Sequence, residues 1–333
     1  MKIPERMEQL YRRLEAFGID QQYVRSIVMP AGWRDSETEN PAVYSQALGL
    51  LAQNLNLNLR SLQNDAAPLE WQDCGPTRFK RSRALSDDEL VTAKCIAVRA
   101  AQIACQTTTS PPAMLPESGA AIRNAILRKG NPYVGFEALL DHCWESGIPV
   151  LHVARFPANT HKPDALAVIF EGRPAIVIMK WHKYPAWLLF IMAHELGHIA
   201  KNHLNGEGVL VDDKVDRDAS EDIEAEANTF AAELLTGKPD IRYQASYNLT
   251  AQQLVEAAQK TSQRDGVDPG FVALNYANSK GHYAVGNLAL HQIEPNADPV
   301  AAIHSRMTEQ LDWEGIGRDS RQFLRHITEM KAR

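Results

Sequence analysis

The chain has 333 residues, of which 44% are hydrophobic and 23% are charged, and its net charge is −6. This composition is that of an ordinary globular protein, and the length allows two modest domains or one core with appendages. The net negative charge disfavours a protein whose whole surface binds nucleic acid.

The sequence has features of a cytoplasmic protein. The first residues, MKIPERMEQLYRRLEAFG, lack the apolar core of a signal peptide, and no stretch approaches 18 apolar residues. The four cysteines, Cys74, Cys95, Cys105 and Cys143, lack CxxC spacing, which favours packing residues or reduced thiols over a disulfide framework. We therefore expect a cytoplasmic location and no contact with a membrane.

Residues 1–106 are predicted to form a helical N-terminal region. Helices are expected over Pro4–Phe17 and Pro41–Leu55, and a short piece, Leu57–Leu62, follows a turn, as in part of a helix-turn-helix. Residues 1–95 carry 12 Lys or Arg against 13 Asp or Glu, with one basic cluster at Arg78, Lys80, Arg81 and Arg83. A small packing domain is therefore favoured over direct DNA binding, which stays open.

A linker is predicted at residues 107–119, where three prolines and a run of Thr and Ser follow a long Ala-rich helix. Residues 120–240 are expected to form the core. Its predicted elements are a helix at Gly135–Glu145, a strand at Pro149–Phe156, and a hairpin of Ala165–Phe170 and Ala175–Met179. We expect one hairpin strand at the edge of the sheet beside the cleft, where an extended substrate would pair with it.

The segment Trp187–Leu204 contains the motif His194-Glu195-Leu196-Gly197-His198, or HExxH. The segment is rich in apolar residues and has no proline, which predicts a helix. Positions i and i+4 project from one face of a helix, so both histidines reach one metal ion and Glu195 lies beside them. Two imidazoles, an adjacent carboxylate and an open coordination position are what zinc-assisted hydrolysis requires, with Glu195 as the catalytic base.

A third metal ligand is expected from a later helix. A histidine six residues after His198 would serve in one zinc class, but Leu204 occupies that place. His203 is about 140° away from His198 around a continuous helix, and we interpret it as exposed or otherwise satisfied. The acid-rich segment Glu221–Leu235, which ends before Gly237 and Pro239, is predicted to be the helix that supplies a carboxylate.

Glu224 is the favoured ligand on this helix because Asn228 lies four residues later on the same face. Asn228 would then hydrogen-bond the outer nitrogen of a metal-bound histidine. Glu221 is the alternative ligand, and Glu226 is about 200° from Glu224 and is expected to be solvated. All of these acids could instead belong to an ordinary solvated face.

The two motifs together resemble the ImmA/IrrE family of zinc metallopeptidases. HELGH is followed about 25 residues later by E-x-x-A-N-x-F-A-x-x-L-L, here Glu224 to Leu235, and the resemblance extends over roughly 140–239. It implies a small gluzincin-like fold in a cytoplasmic bacterial or mobile-element protein that cleaves a transcriptional repressor. By the same resemblance His194, His198 and Glu224 match the metal ligands, and Glu195 matches the general base.

Residues 241–333 are predicted to form a mainly helical C-terminal region. Helices are expected at Thr250–Gln263, from Asp268 to Tyr276, and at Ser320–Met330. His282, Tyr283 and His291 are candidates for a group that stabilises an oxyanion, but their spacing does not select among them.

The sequence therefore predicts an α+β, predominantly helical protein. Its expected centre is a small gluzincin-like zinc-peptidase core with a three-stranded antiparallel sheet, flanked by helical N- and C-terminal regions. The expected activity is that of a Zn²⁺-dependent endopeptidase, and the resemblance implies a DNA-binding repressor as its protein substrate.

The alternative is a non-proteolytic, zinc-containing regulatory module that binds DNA or a partner protein, such as a sensor or a toxin-antitoxin component. A structural zinc site would be closed by four protein ligands, and the candidates for the fourth ligand are Glu221 and His203.

Overall fold

The computed structural model describes residues 3–72, 77–80, 87–204, 217–240 and 242–331. Within these ranges the helices are α1 (Glu5–Ala16), α2 (Gln21–Tyr23), α3 (Pro41–Leu55), α4 (Leu59–Gln63), α5 (Asp87–Thr107), α6 (Gly119–Leu127), α7 (Phe136–Glu145), α8 (Pro185–Ala200), α9 (Arg217–Thr236), α10 (Ala251–Asp265), α11 (Pro269–Lys280), α12 (Tyr283–Ile293), α13 (Pro299–Gln310) and α14 (Arg318–Thr328). A π-helix at Val24–Val28 and a 3₁₀-helix at Asp35–Glu39 lie between α2 and α3. The strands are β1 (Thr77–Lys80), β2 (Val150–His152), β3 (Ala165–Phe170) and β4 (Arg173–Ile178).

The predicted fold class is confirmed, because the protein is predominantly helical around one small sheet. The strand order in the sheet is β1-β3-β4-β2. β3 and β4 form the expected antiparallel hairpin, whose two turn residues, Glu171 and Gly172, have φ values of 50° and 76°. Positive φ at both positions matches the right-handed twist of the flanking strands.

The sheet has a fourth strand, β1, in addition to the three that were expected. Two predictions about the pairing of the strands are wrong. β2 pairs with β4 in parallel, so the sheet is mixed and not purely antiparallel. The hairpin strands are also not at an edge, because β3 pairs with β1 as well as β4 and β4 pairs with β2 as well as β3. The connection over residues 153–164 is long enough to place β3 beyond β4 and away from β2.

The sheet is covered on both faces. All four residues of β3 from Ala165 to Val168 are buried, although successive side chains of a strand point to opposite faces. α5 and α8 both contact β3 and β4, and α7 and α13 contact β2. Burial on both faces explains why these strands are continuous apolar runs with no alternation.

The predicted helix, turn and helix near the N-terminus are present as α3 and α4. Asn56 ends α3 in the left-handed conformation, and the second helix has only five residues. DNA contact by this segment stays a prediction. Cys74, Arg81 and Arg83 lie outside the described residues.

The expected linker is an irregular segment held by the residues around it. Thr108 pairs with Leu311, the amide of Ala113 donates to Ser146, and the guanidinium of Arg173 donates to the carbonyl of Ser110. These contacts tie the segment to the core and to the C-terminal region. The division into domains at residues 107–119 stays a prediction.

The C-terminal region contains two helices that the sequence analysis missed, α12 and α13. Asp298 caps α13 by accepting from the amide of Ala301, and Pro299 occupies its first position. This pair is a helix start signal that was present in the sequence. Across the described residues, no helix is both long and apolar enough to cross a membrane.

Candidate metal centre

The HExxH motif lies in the last two turns of α8, a helix that begins with Pro185. Every residue from Ile191 to His198 is buried, and His194, Glu195 and His198 have no exposed surface. A polar side chain buried this deeply is costly unless it has a partner. The three buried polar side chains of the motif therefore require hydrogen-bonding or charged partners from a second element.

The second element is α9, which packs closely on α8 at Gly197. A Cβ atom at position 197 would lie 3.1 Å from the carbonyl oxygen of Ala227 and 3.1 Å from Cδ1 of Phe230. The absence of a side chain at Gly197 lets the two backbones approach. This approach brings Glu224 and Asn228 of α9 to the two histidines of α8.

Glu224, His194 and His198 form a compact group of three potential metal ligands. Nε2 of His194 lies 3.3 Å from Oε2 of Glu224, and Nε2 of His198 lies 3.4 Å from Oε1 of Glu224. The two Nε2 atoms are 3.1 Å apart. Ligands about 2.0–2.1 Å from a tetrahedral metal ion are about 3.3 Å from one another, so the group is compatible with a metal ion.

Asn228 orients the first histidine. Its side-chain oxygen lies 3.1 Å from Nδ1 of His194, on the opposite side of the ring from the group of ligands. The amide oxygen accepts, so we assign the ring proton to Nδ1, which leaves the lone pair of Nε2 directed at the other ligands. The structure thus places Asn228 where its spacing from Glu224 suggested.

A chain of two hydrogen bonds orients the second histidine. Nδ1 of His198 lies 3.0 Å from Nδ1 of His203, and Nε2 of His203 lies 2.9 Å from Oε2 of Glu226. A carboxylate only accepts, so His203 donates from Nε2 and accepts at Nδ1 from His198. His198 therefore also presents the lone pair of Nε2 to the other ligands.

The interpretation of His203 as remote from His198 is therefore wrong, whereas Glu226 is exposed as expected and in addition hydrogen-bonds His203. α8 ends at Ala200, and Asn202 adopts a φ of 55°, so the chain turns back and the amide of His203 donates to the carbonyl of His198. The estimate of 140° assumed that the helix continued. An asparagine in this position is a known stop signal for helices, and it could have revealed the turn.

Glu224 is held in its charged form. Burial of its carboxyl would raise the pKa, but when His194 and His198 also carry a proton on Nε2, their hydrogen bonds and charges outweigh burial and lower the pKa of Glu224 below its usual value. A carboxylate must be ionised to bind a metal ion, so Glu224 is ready to act as a ligand without losing a proton near neutral pH.

The other residues considered from the sequence lie elsewhere or outside the description. The side chain of Glu221 is not among the described residues. Tyr283 stacks on Trp187, and His291 lies against Tyr184. Among the described contacts, none joins these two residues or His282 to the group of ligands, so no oxyanion group is assigned from them.

This donor set suits zinc. Two neutral imidazoles and one carboxylate are the ligands of one class of catalytic zinc site, which leaves a fourth position for water or substrate. In the parts of the chain that are described, the group of metal ligands contains only His194, His198 and Glu224. Both ring nitrogens of His203 are engaged, so His203 does not complete a four-ligand site.

The comparison with known families agrees with this geometry. Residues 151–274 match the family model Peptidase_M78, described as the IrrE N-terminal-like domain. The match includes β3, β4, α8 and α9, and therefore all of the residues of the site. No curated protein and no solved structure matches the chain.

Proposed function

We propose that the protein is a zinc-dependent endopeptidase, because residues 151–274 match the family model Peptidase_M78, the IrrE N-terminal-like domain. The observation that carries the proposal is the convergence of His194, His198 and Glu224 beside the buried Glu195. A three-ligand site with an adjacent carboxylate is the arrangement that activates water for hydrolysis.

The residues of the chain have distinct parts in this reaction. His194, His198 and Glu224 would hold the zinc ion, which supplies a Lewis acid that polarises the scissile carbonyl and acidifies water. Glu195 accepts the proton of the attacking water and delivers it to the nitrogen of the leaving amine. Its complete burial keeps bulk water away from this proton transfer.

The proposed substrate is a DNA-binding transcriptional repressor, whose cleavage would change gene expression. The similarity to the ImmA/IrrE family supports this part of the proposal, and the site supports only the hydrolysis of a peptide bond. We also propose a reducing, cytoplasmic setting, because Cys105 and Cys143 are buried free thiols.

The test compares the wild-type protein with Glu195→Gln, both loaded with zinc. Each is incubated with a panel of purified DNA-binding repressors, and fragments are identified by mass spectrometry. We expect wild type to cleave at least one repressor and Glu195→Gln to be slower by about 10² to 10⁴-fold, with the same zinc content. Asp222→Asn, which removes an exposed charge from the same helix as Glu224, is the control and should cleave normally.

Two results would count against the proposal. Full proteolysis by Glu195→Gln would remove the assignment of the general base. If the zinc-loaded wild-type protein cleaved neither a repressor nor an unfolded protein, the result would contradict the proposed peptidase activity.

A further inference from the structure

A group of aromatic side chains lies on the surface between the loop before α8 and the start of α12. We call His182, Tyr184, Trp187 and Tyr283 the aromatic surface, and we include the exposed Trp181 because it directly precedes His182 in the chain. The ring of His182 stacks on Trp187 at 4.7 Å between centroids, and Trp187 stacks on Tyr283 at 6.1 Å. Trp181 is 68% exposed and Tyr283 is 43% exposed. Large exposed apolar side chains that are grouped in this way mark binding sites more often than isolated ones do.

A row of rings connects the aromatic surface with the metal centre. Trp187, Phe190 and His194 follow one another on α8 at spacings of three and four residues, so they share one face of the helix. Phe190 lies 6.4 Å from the ring of His194, and Phe271 of α11 stacks on Phe190 at 6.3 Å. On this face of α8 the partly exposed positions Trp187 and Phe190 lead directly to the metal ligand.

The length of this row corresponds to a short stretch of extended peptide. Trp187 precedes His194 by seven residues, which is about 10.5 Å along an α-helix. An extended peptide advances about 3.3 Å per residue. A substrate whose scissile bond lies at the metal centre would therefore place a side chain on Trp187 about three residues away.

Lysines lie beside the aromatic surface in a protein whose net charge is negative. No Asp or Glu occurs in residues 172–194 or 269–293, although the chain has 41 acidic residues. The ammonium group of Lys183 lies 5.7 Å from the ring centre of Tyr184, and Lys280 is exposed at the end of α11, three residues before Tyr283. Lys180 lies over Trp187 and is paired with Asp164. Exposed lysines beside apolar rings suit a partner with apolar and acidic side chains.

His182 contributes a ring and no charge. Burial, together with the charge of Lys180, lowers the pKa of His182 to about 4. The ring is therefore neutral near pH 7 and stacks on Trp187 as an uncharged aromatic group.

We propose that the aromatic surface is a substrate subsite, which binds an aromatic or large aliphatic side chain about three residues from the scissile bond in a peptide with acidic neighbours. This inference rests on the proposed peptidase function and adds the class of sequence that the site selects. Single-stranded nucleic acid also binds to aromatic rings flanked by lysine. A peptide is favoured because the row of rings ends at the metal centre.

The first test is digestion of a random-sequence peptide pool by the zinc-loaded protein, with the cleavage sites read by mass spectrometry. We expect wild-type products to be enriched in Trp, Tyr, Phe or Leu about three residues from the cleaved bond. In the double variant Trp181→Ala/Tyr283→Ala this enrichment should disappear, and kcat/KM for peptides that carry the aromatic residue should fall about 10-fold or more. Tyr247→Ala is the matched control, because Tyr247 is an exposed aromatic residue (61%) that is not part of the aromatic surface.

The second test measures binding without catalysis. Zinc-loaded Glu195→Gln is titrated with two labelled acidic peptides that differ only in Phe or Ala at one position. We expect tighter binding of the Phe peptide, and we expect this preference to be lost when the double variant is added to Glu195→Gln. Unchanged zinc content and an unchanged melting temperature would show that the double variant is folded.

The outcomes separate the two proposals. The wild-type protein could bind peptides through the aromatic surface and yet never cleave them. This result would support the aromatic surface as a peptide-binding site and contradict the peptidase function. Cleavage with no enrichment, or with an enrichment that the double variant keeps, would overturn the subsite and leave the peptidase function intact. The wild-type protein could instead bind a single-stranded oligonucleotide, lose this binding in the double variant, and show no preference between the two peptides. This result would also overturn the proposal of a peptide subsite.

Discussion

His198 is oriented by two hydrogen bonds in series, the first to His203 and the second from His203 to Glu226. Hydrogen bonds of this kind fix the tautomer and the direction of a metal-binding imidazole. His203 is 9% exposed, whereas the side chain of Glu226 is 60% exposed. The bond to His198 is therefore shielded from water, and the bond to Glu226 is not.

Removal of His203 should weaken metal binding. We expect His203→Ala to raise the dissociation constant for zinc about 10 to 100-fold, because His198 loses the acceptor of its Nδ1 proton. Glu226→Gln should have a smaller effect, because the amide oxygen still accepts from His203. Competition with a fluorescent zinc chelator measures the affinity, and Asp222→Asn is the control. Equal affinity in His203→Ala and wild type would show that this bond does not tune the metal site.

The sequence predicted the positions of the site side chains correctly within a continuous helix, but not beyond the end of a helix. The i, i+4 spacing placed His194 with His198, and Glu224 with Asn228, on common faces, and the structure brings all four together. The same spacing argument failed for His203, since α8 ends at Ala200 before reaching it. Beyond a turn that reverses the chain, angles calculated for a continuous helix no longer give the directions of the side chains.

The contact between α8 and α9 decides whether Glu224 reaches the histidines. Gly197 is the point of closest approach, since a methyl group there would meet the backbone of Ala227 at 3.1 Å. Real Cβ contacts are rarely this short, so α9 would have to move by a few tenths of an ångström. Such a movement would displace Glu224 from its present distances to His194 and His198.

Gly197→Ala should therefore weaken metal binding more than its effect on helix propensity suggests. Alanine is the better helix former by about 1 kcal/mol, so propensity alone would stabilise the protein. We expect instead a weaker zinc affinity by about 10-fold and a lower melting temperature. Gly49→Ala is the matched control, because a Cβ atom there meets nothing within 4 Å in α3, and it should be neutral or stabilising. A Gly197→Ala protein with unchanged zinc affinity would contradict the role of this close approach.

The elements were predicted better than their pairing. Apolar runs and turn residues identified the β3–β4 hairpin and the two helices of the site, and these lie close to the expected ranges. The parallel pairing of β2 with β4 depends on the path of residues 153–164, which carry no local signal of direction. The presence of β1 next to β3 likewise depends on contacts between distant parts of the chain.

Two carboxyls lie away from the metal centre, of which Asp268 is buried and Glu294 is half-buried. Asp268 caps α11 by accepting from the amide of Phe271, and Glu294 follows α12. Both line a cavity of about 750 Å³ near the start of α8. Burial raises the pKa of Asp268 to about 6, and burial together with the charge of Asp268 raises the pKa of Glu294 to about 7.

These raised pKa values should make stability depend on pH. The folded protein keeps protons that the unfolded chain releases above about pH 4, so the contribution of each carboxyl is present below pH 4 and is lost as pH rises through 6 to 7. Asp268→Asn keeps the cap and removes the charge. We expect this variant to match wild type at pH 4 and to exceed it in free energy of unfolding by roughly 2 to 3 kcal/mol at pH 8.

Denaturant unfolding of both proteins at the two pH values measures this difference, and the comparison with wild type cancels the pH dependence of other groups. The control is Asp312→Asn, which makes the same substitution at an exposed position. A constant difference between Asp268→Asn and wild type from pH 4 to pH 8 would contradict the raised pKa.

The most direct measurement for the whole account is the zinc content of the purified, zinc-supplied protein and its variants. We predict about one zinc ion per chain in wild type and in Glu195→Gln, and a loss of zinc in both His194→Ala and Glu224→Ala. Zinc that is lost in His194→Ala but kept in Glu224→Ala would move the third ligand to another acid of α9. A wild-type protein that binds no zinc would contradict the metallopeptidase assignment.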